Sequence, residues 1–299
     1  MIIEGKERDL GGGFAVRRVL PNPRRRTVGP FVFWDHFGPK EYAPGERFDV
    51  RPHPHIDLAT ITYLFDGEIV HRDSLGSDLA IHPGAVNWMT AGDGIVHSER
   101  TSAETERNGQ RMEGIQSWVG MPAGHEGGPA AFRHHPAETL PRWKWPGAKA
   151  VLIAGEAYGH RSRVEYPGGI FYVDVDAEAG AAFAFPEGHA EKAIYVAEGE
   201  VRFRGETLSR GQMMFADDAA ADEMIRCETA SRILLIGGEP LGQRHIWWNF
   251  VSSDPARIRK AADLWRADDK TRFPDIPGDS DERIPLPEDG PPPPVQGGS

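Results

Sequence analysis

The sequence predicts an all-β chain: two strand-rich units of similar build, followed by one short helix. Three observations carry the prediction. Thirty-five glycines and 25 prolines among 299 residues break the chain too often for long helices. Between the breaks, short β-branched and aromatic runs recur at intervals of about 8–12 residues, the rhythm of an antiparallel sandwich or barrel. One stretch also repeats: Thr62-Tyr63-Leu64-Phe65-Asp66-Gly67-Glu68 resembles Ile194-Tyr195-Val196-Ala197-Glu198-Gly199-Glu200, with Tyr, Gly and Glu each displaced by 132 positions.

Taken in order, the first unit, residues 1–135, holds the runs FAVRRVL, LATITYLF, EIVHRD, AVNWMT and IQSWVG. A stretch rich in turn residues, from Pro122 to Ala150, reads as a connection, in which His134 and His135 are expected to be solvated. The second unit, residues 136–250, holds AVLIAG, GIFYVDVDA, AAFAFP, KAIYVAEGEVRF and RILLIGG. Both copies of the repeat read as strand, acidic-Gly turn, strand, and Pro83-Gly84 in the first answers Arg210-Gly211 in the second. In the last segment, residues 251–299, Asp254-Pro255 is a helix start, an N-cap followed by proline at the first helical position. Ile258, Ala262 and Trp265 follow at helical spacing, a face suited to packing back on a barrel. Beyond Phe273 the chain is proline, glycine and acid, with too little apolar surface to offset its ordering entropy, and is expected to be extended or disordered.

Charge and composition then exclude several functions. With 34 basic and 45 acidic side chains the net charge is −11, which repels phosphate backbones and anionic lipid, so direct nucleic-acid contact is not expected. The one basic run, Arg24-Arg25-Arg26, is read as pairing with surface carboxylates. A single cysteine, Cys227, excludes an intrachain disulfide framework and a thiolate-rich zinc site. No signal-peptide core and no apolar window of about 18 residues is present. The expectation is a soluble, cytoplasmic protein with no membrane contact, and a monomer by default.

The chemistry concentrates in Arg51-Pro52-His53-Pro54-His55. On a strand, residues i and i+2 project from one face about 7 Å apart, so His53 and His55 can enter a barrel together. Ile95-Val96-His97-Ser98-Glu99 repeats the geometry with one imidazole and one carboxylate. Two such pairs on neighbouring strands place three nitrogens and one oxygen around one point, leaving positions open on an octahedral metal. A lone His-x-His also occurs by chance or as a surface pair. The glycine-punctuated, apolar stretch between the pairs, including Trp88-Met89-Thr90-Ala91-Gly92, suits a closed interior better than a solvated face.

This pattern is a variant of the cupin signature, and the chain resembles the pirins. The usual glutamate four or five residues after the second histidine is replaced by Ala59 and Thr60, and Glu99 supplies the carboxylate. The resemblance runs through Gly11-Gly12-Gly13-Phe14, Phe33-Trp34-Asp35-His36-Phe37-Gly38-Pro39, His53-Pro54-His55, Trp88-Met89-Thr90-Ala91-Gly92, His97-Ser98-Glu99 and Gln116-Ser117-Trp118-Val119, up to the helix after Asp254. It implies two cupin (jelly-roll) β-barrels face to face, with a metal, Fe(II) foremost, on His53, His55, His97 and Glu99 of the first. The same donor set accepts Mn, Ni, Co, Cu or Zn. The second barrel has only His189 near the equivalent strand start, and no second metal is expected there. In the better-studied pirins the histidine pair is followed by Arg-Gly and a glutamate; here the run is Ile56-Asp57-Leu58-Ala59.

Some pirins resemble quercetin 2,3-dioxygenases, which implies a flavonol-like substrate, O2, and Glu99 as catalytic base. Others act as cofactors for transcription factors or bind metabolic enzymes, which implies a protein partner and an iron redox switch. Among smaller expectations, Gln116 is placed to hydrogen-bond a ligand or water. His36 is read as structural, because Asp35, Gly38 and Pro39 look like a turn, and Trp88 and Met89 are read as core.

Overall fold

In the computed structural model, residues 1–10 and 14–291 are described; Gly11, Gly12 and Gly13 of the glycine motif and tail residues 292–299 lie outside them. The chain forms two antiparallel β-barrels, each from one large and one small sheet. In the first, the large sheet runs Ala131–His135, Val86–Thr90, Leu58–Asp66, Gln110–Gly120, Phe31–Tyr42, Ala15–Leu20, Lys6–Asp9, and the small one Val50–His55, Ile95–Arg100, Ile69–Asp73, Asp78–Ile81. In the second, the large sheet runs Ile2–Glu4, Gln212–Phe215, Glu191–Glu198, Ser231–Gly238, Ile170–Ala177, Ala148–Ala157, Arg142–Trp145, and the small one Ala182–Ala184, Met224–Cys227, Glu200–Phe203, Glu206–Ser209.

The two large sheets lie face to face, which explains why their strands read as nearly continuous apolar runs. A sheet covered on both sides has no solvated face to mark by alternation. Along Leu58–Asp66, Ala59, Ile61 and Tyr63 enter the cluster between the barrels, whereas Leu58 and Leu64 join clusters inside the first barrel. Trp34 anchors the interface, its ring 5.4 Å from that of Tyr172 and 5.3 Å from that of Tyr195. Two of the buried hydroxyls there find partners across it: Tyr63 donates to Asp174 at 2.8 Å, and Tyr195 Oη lies 2.8 Å from His36 Nδ1, whereas Tyr172 Oη has no hydrogen-bond partner among the described residues.

The repeated turn is visible in the backbone. Gly67 and Gly199 both sit at positive φ, 85° and 80°, as do Gly84 and Gly211, 80° and 84°. At these turns an L side chain would be strained, which accounts for glycine in both copies.

Several local expectations need correction. The stretch from Pro122 to Ala150 is more than a connection, since Ala131–His135 pairs with Val86–Thr90 and Arg142–Trp145 with the next strand. His134 and His135 are half-buried, and His134 Nδ1 lies 2.7 Å from Asn87 Oδ1. Asp35, Gly38 and Pro39 lie within the strand Phe31–Tyr42 instead of a turn. His36 is structural, but through Tyr195 of the other barrel and Glu113. As expected, Arg25 of the basic run pairs with Asp217 and Glu191.

The chain ends are exchanged. Ile2–Glu4 completes the large sheet of the second barrel, with Ile2 opposite Met214. The helix Pro255–Arg266, capped by Asp254 accepting from Ala256 N, buries Ile258, Ala261, Ala262 and Trp265 in a cluster with Ile56 and Val96 of the first barrel. Residues 274–291 contain no regular helix or long strand, yet they are pinned there. Asp279 accepts from Ser98 at 2.7 Å and from Arg100 at 2.8 and 2.6 Å, and Ile284 N donates to Pro52 O at 2.8 Å. No helix among the described residues is long and apolar enough to cross a membrane.

Candidate metal centre

Strand pairing assembles the histidines. His53 and His55 lie on Val50–His55, and His97 on its antiparallel neighbour Ile95–Arg100. Register sets His97 opposite His53 and Ile95 opposite His55, so side chains two apart on each strand meet over one face. After His97 the register shifts and Glu99 falls opposite Val50, a bulge of the kind that re-aims a side chain. One donor nitrogen from each of His53, His55 and His97 lies within 4.8 Å of the others, and all three residues are buried. Glu99 is buried beside them, its Oε1 3.5 Å from His97 Nδ1.

The backbone fixes the tautomers. His53 Nδ1 is 2.8 Å from Arg51 O, and His55 Nδ1 is 2.9 Å from Asn249 O. A carbonyl oxygen only accepts, so each Nδ1 carries the proton and each Nε2 keeps its lone pair, the form a metal requires. His55 Nε2 lies 3.1 Å from His97 Nε2. Burial holds all three imidazoles neutral, His53 down to about 4 and His55 and His97 well below their ordinary value. Burial also pushes the Glu99 carboxyl up to about 8 against the pull of Arg100.

Among the described residues His97 Nδ1 and Glu99 Oε2 are buried without a hydrogen-bond partner. Leaving such atoms unsatisfied is costly, and a cation among neutral imidazoles and a carboxylate would remove the cost. The histidine group could thus hold a metal ion, and its nitrogen donors suit iron, cobalt, nickel, copper or zinc better than calcium or magnesium.

A cavity of about 320 Å³ reaches this point, lined by His53, His55 and Glu99 at one side and by Phe33, Phe37, Phe48, Val50 and Trp118 around it. Its volume is at the lower end of the range for small-molecule pockets. Phe33 and Trp118 stack with ring centroids 3.8 Å apart, and Trp118 meets His55 edge-on at 5.0 Å. Gln116 lines the cavity; Met89 is core inside the first barrel and Trp88 core between the barrels, as expected. His189 stands apart from the centre, in the second barrel, with Nε2 3.0 Å from Glu156 O.

The roles of four neighbours escaped sequence reasoning. Asn249, which orients His55, comes from the far end of the chain, and no local signal marks it. Arg18 and Asp35 face the cavity as a two-bonded pair, at 2.9 and 2.7 Å. His71 lies 5.4 Å from the His97 ring and 3.0 Å from Asp73 Oδ2; the alternation His71-Arg72-Asp73 carries the same strand spacing as the metal motifs and could have been read. Asp57, within the run that departs from the pirin pattern, has φ 57°. Its buried carboxylate accepts from Gly127 N at 2.7 Å and from Arg257 at 2.6 and 2.9 Å, tying the C-terminal helix to the loop after His55.

Comparison with known proteins gives a consistent picture. Residues 13–119 match the family described as Pirin, and residues 172–273 the Pirin C-terminal cupin domain. A pirin-like protein of Caulobacter vibrioides is 47% identical over 293 residues, 96% of this chain and 99% of that one. A Pseudomonas aeruginosa protein, provisionally named a quercetin 2,3-dioxygenase, is 34% identical over 269 residues, 89% of this chain and 84% of that one. A crystal structure of a quercetin 2,3-dioxygenase from Acinetobacter baumannii superposes with a TM-score of 0.89 at 31% identity, covering 96% of this chain and 94% of that one.

Proposed function

The chain belongs to the pirin family, and from that premise we propose that it is a metal-dependent dioxygenase that opens a flavonol ring with O2 and releases carbon monoxide. The observation that carries the proposal is the apolar cavity that reaches His53, His55 and Glu99, because a purely regulatory partner surface needs no internal volume. The names of the Pseudomonas and Acinetobacter relatives support the same reaction class. His53, His55, His97 and Glu99 would hold the metal, Fe(II) foremost. When bound, it supplies Lewis acidity toward a substrate hydroxyl and electrons for O2 chemistry.

The protein's own groups do the rest. The stacked Phe33–Trp118 pair lines the cavity with aromatic surface along which a planar ring can lie. Glu99, whose Oε2 is unpartnered, would accept the proton of the substrate hydroxyl as general base. Apolar walls exclude water from the activated ring.

The test is metal content measured together with aerobic turnover of quercetin, against a His53→Ala, His97→Ala double variant. Flavonol loss with carbon monoxide release, absent in the variant, is expected. One equivalent of metal without flavonol consumption would overturn the activity. Glu99→Gln should retain some metal and lose turnover; equal activity in that variant would remove the base assignment.

A further inference from the structure

We propose that one polar row, Arg18, Asp35, Gln116 and Thr62, is the specificity subsite of the cavity, binding oxygen substituents on the part of a flat aromatic ligand that lies away from the metal. The inference rests on the flavonol reading above. The four residues come from four adjacent strands of the large sheet and are direct cross-strand partners: Arg18 opposite Asp35, Asp35 opposite Gln116, Gln116 opposite Thr62. Partners of this kind share a face, and all four line the cavity. The histidines and Glu99 project from the small sheet, so the row looks across the barrel at the metal centre.

The comparison within the chain argues that this row is not there for folding. In the second barrel, Leu152, Val173, Leu235 and Ile194 are cross-strand partners in the same strand sequence of the large sheet. Ile194 is the counterpart of Thr62 in the repeat, and all four side chains are packed in that barrel's core. The scaffold therefore accepts an apolar row, and the polar one stands in the barrel whose cavity reaches the histidines.

The hydrogen bonds left over state what would be recognised. Arg18 spends Nε and one Nη2 hydrogen on Asp35, and Thr62 donates to Gln116 Oε1 at 2.7 Å. Among the described residues that leaves Arg18 Nη1 and the Gln116 amide nitrogen without partners. Both are donors, so the row selects oxygen acceptors or phenolates. The Arg18 guanidinium lies 4.4 Å over the Phe33 ring, at the end of the stack that begins with Trp118 against His55. A planar ligand laid along that stack has the metal at one end and the guanidinium at the other.

The test compares binding of quercetin with that of 3-hydroxyflavone, which keeps the metal-facing hydroxyl and lacks the remote ones. Binding is read from tryptophan quenching of the metal-loaded protein under anaerobic conditions. Two variants serve: Arg18→Leu/Asp35→Val, which transplants the second barrel's solution and leaves no unpaired buried charge, and Gln116→Glu, which keeps the acceptor for Thr62 and removes the donors. Wild type should prefer quercetin by about tenfold or more, the worth of one charge-assisted hydrogen bond. In both variants the preference should fall below about threefold, with metal content unchanged as the check on folding. A wild type that binds both flavonols equally, or variants that fold, hold metal and keep the preference, would overturn the subsite alone. No binding of either flavonol by the loaded wild type would overturn the flavonol reading, and this inference with it.

Discussion

The two barrels share strand order, turn geometry and a large sheet facing its counterpart, yet one is hollow and the other is filled. In the first, the small sheet turns His53, His55, His71, His97 and Glu99 inward. The corresponding strands of the second present Phe183, Val201, Phe203, Ile225 and Cys227, all buried in one apolar cluster with Phe185 just beyond. The scaffold is thus indifferent to which set it carries. Changing one face of the small sheet from imidazole to phenyl and alkyl turns a ligand cage into a core, and the matching row of the large sheet changes with it.

The sharpest way to break this comparison is to truncate one residue on each side. Phe203→Ala, in the filled barrel, should cost about 3–5 kcal/mol by denaturant unfolding and leave metal content intact. His53→Ala, in the hollow one, should lose the metal while costing the apoprotein only about 1 kcal/mol, the worth of its bond to Arg51 O. Equal stability losses would mean that the first barrel is a core like the second.

A smaller effect separates the ionisable groups of the hollow barrel. The imidazoles, with His53 down to about 4, are already neutral at pH 7 and have no proton to give up. Glu99, near 8, is mostly protonated, and a metal that binds its carboxylate must displace that proton. Metal uptake at pH 7 should therefore release close to one proton, and affinity should rise with pH until about 8 and then level off. Calorimetry in buffers of different ionisation enthalpy checks this, with Glu99→Gln expected to release none.

The smallest expected effect sharpens the resemblance between the halves. Gly67→Ala and Gly199→Ala, both at positive φ with backbone carbonyls at the place of a new Cβ, should each cost about 1–2 kcal/mol. A large difference between them in thermal unfolding would show that the two turns are not equivalent.

Much of the centre was legible because strand periodicity is local. His-x-His and His-x-Glu announce a shared face within three residues, and Asp254-Pro255 announces a helix within two. The polar row was not legible, since Arg18, Asp35, Thr62 and Gln116 are joined only by register across four strands; Gln116 alone drew attention, and Gly38-Pro39 disguised Asp35 as part of a turn. The docking of the tail was hidden for a different reason. Composition averages over the segment, whereas it is held by a few particular contacts: Asp279 on Arg100 and Ser98, backbone bonds such as that of Ile284, and Ile276 and Leu286 in the cluster under the helix.

The exchanged chain ends settle what kind of object the duplication has become. A break between residues 135 and 136 would leave the first half with Ile2–Glu4 and no sheet to join, and the second with the apolar face of Pro255–Arg266 and nothing beneath it. Neither half is a self-sufficient product. The two barrels are expected to melt as one cooperative unit, and co-expressed halves to regain shape only by finding each other, as a split reporter does.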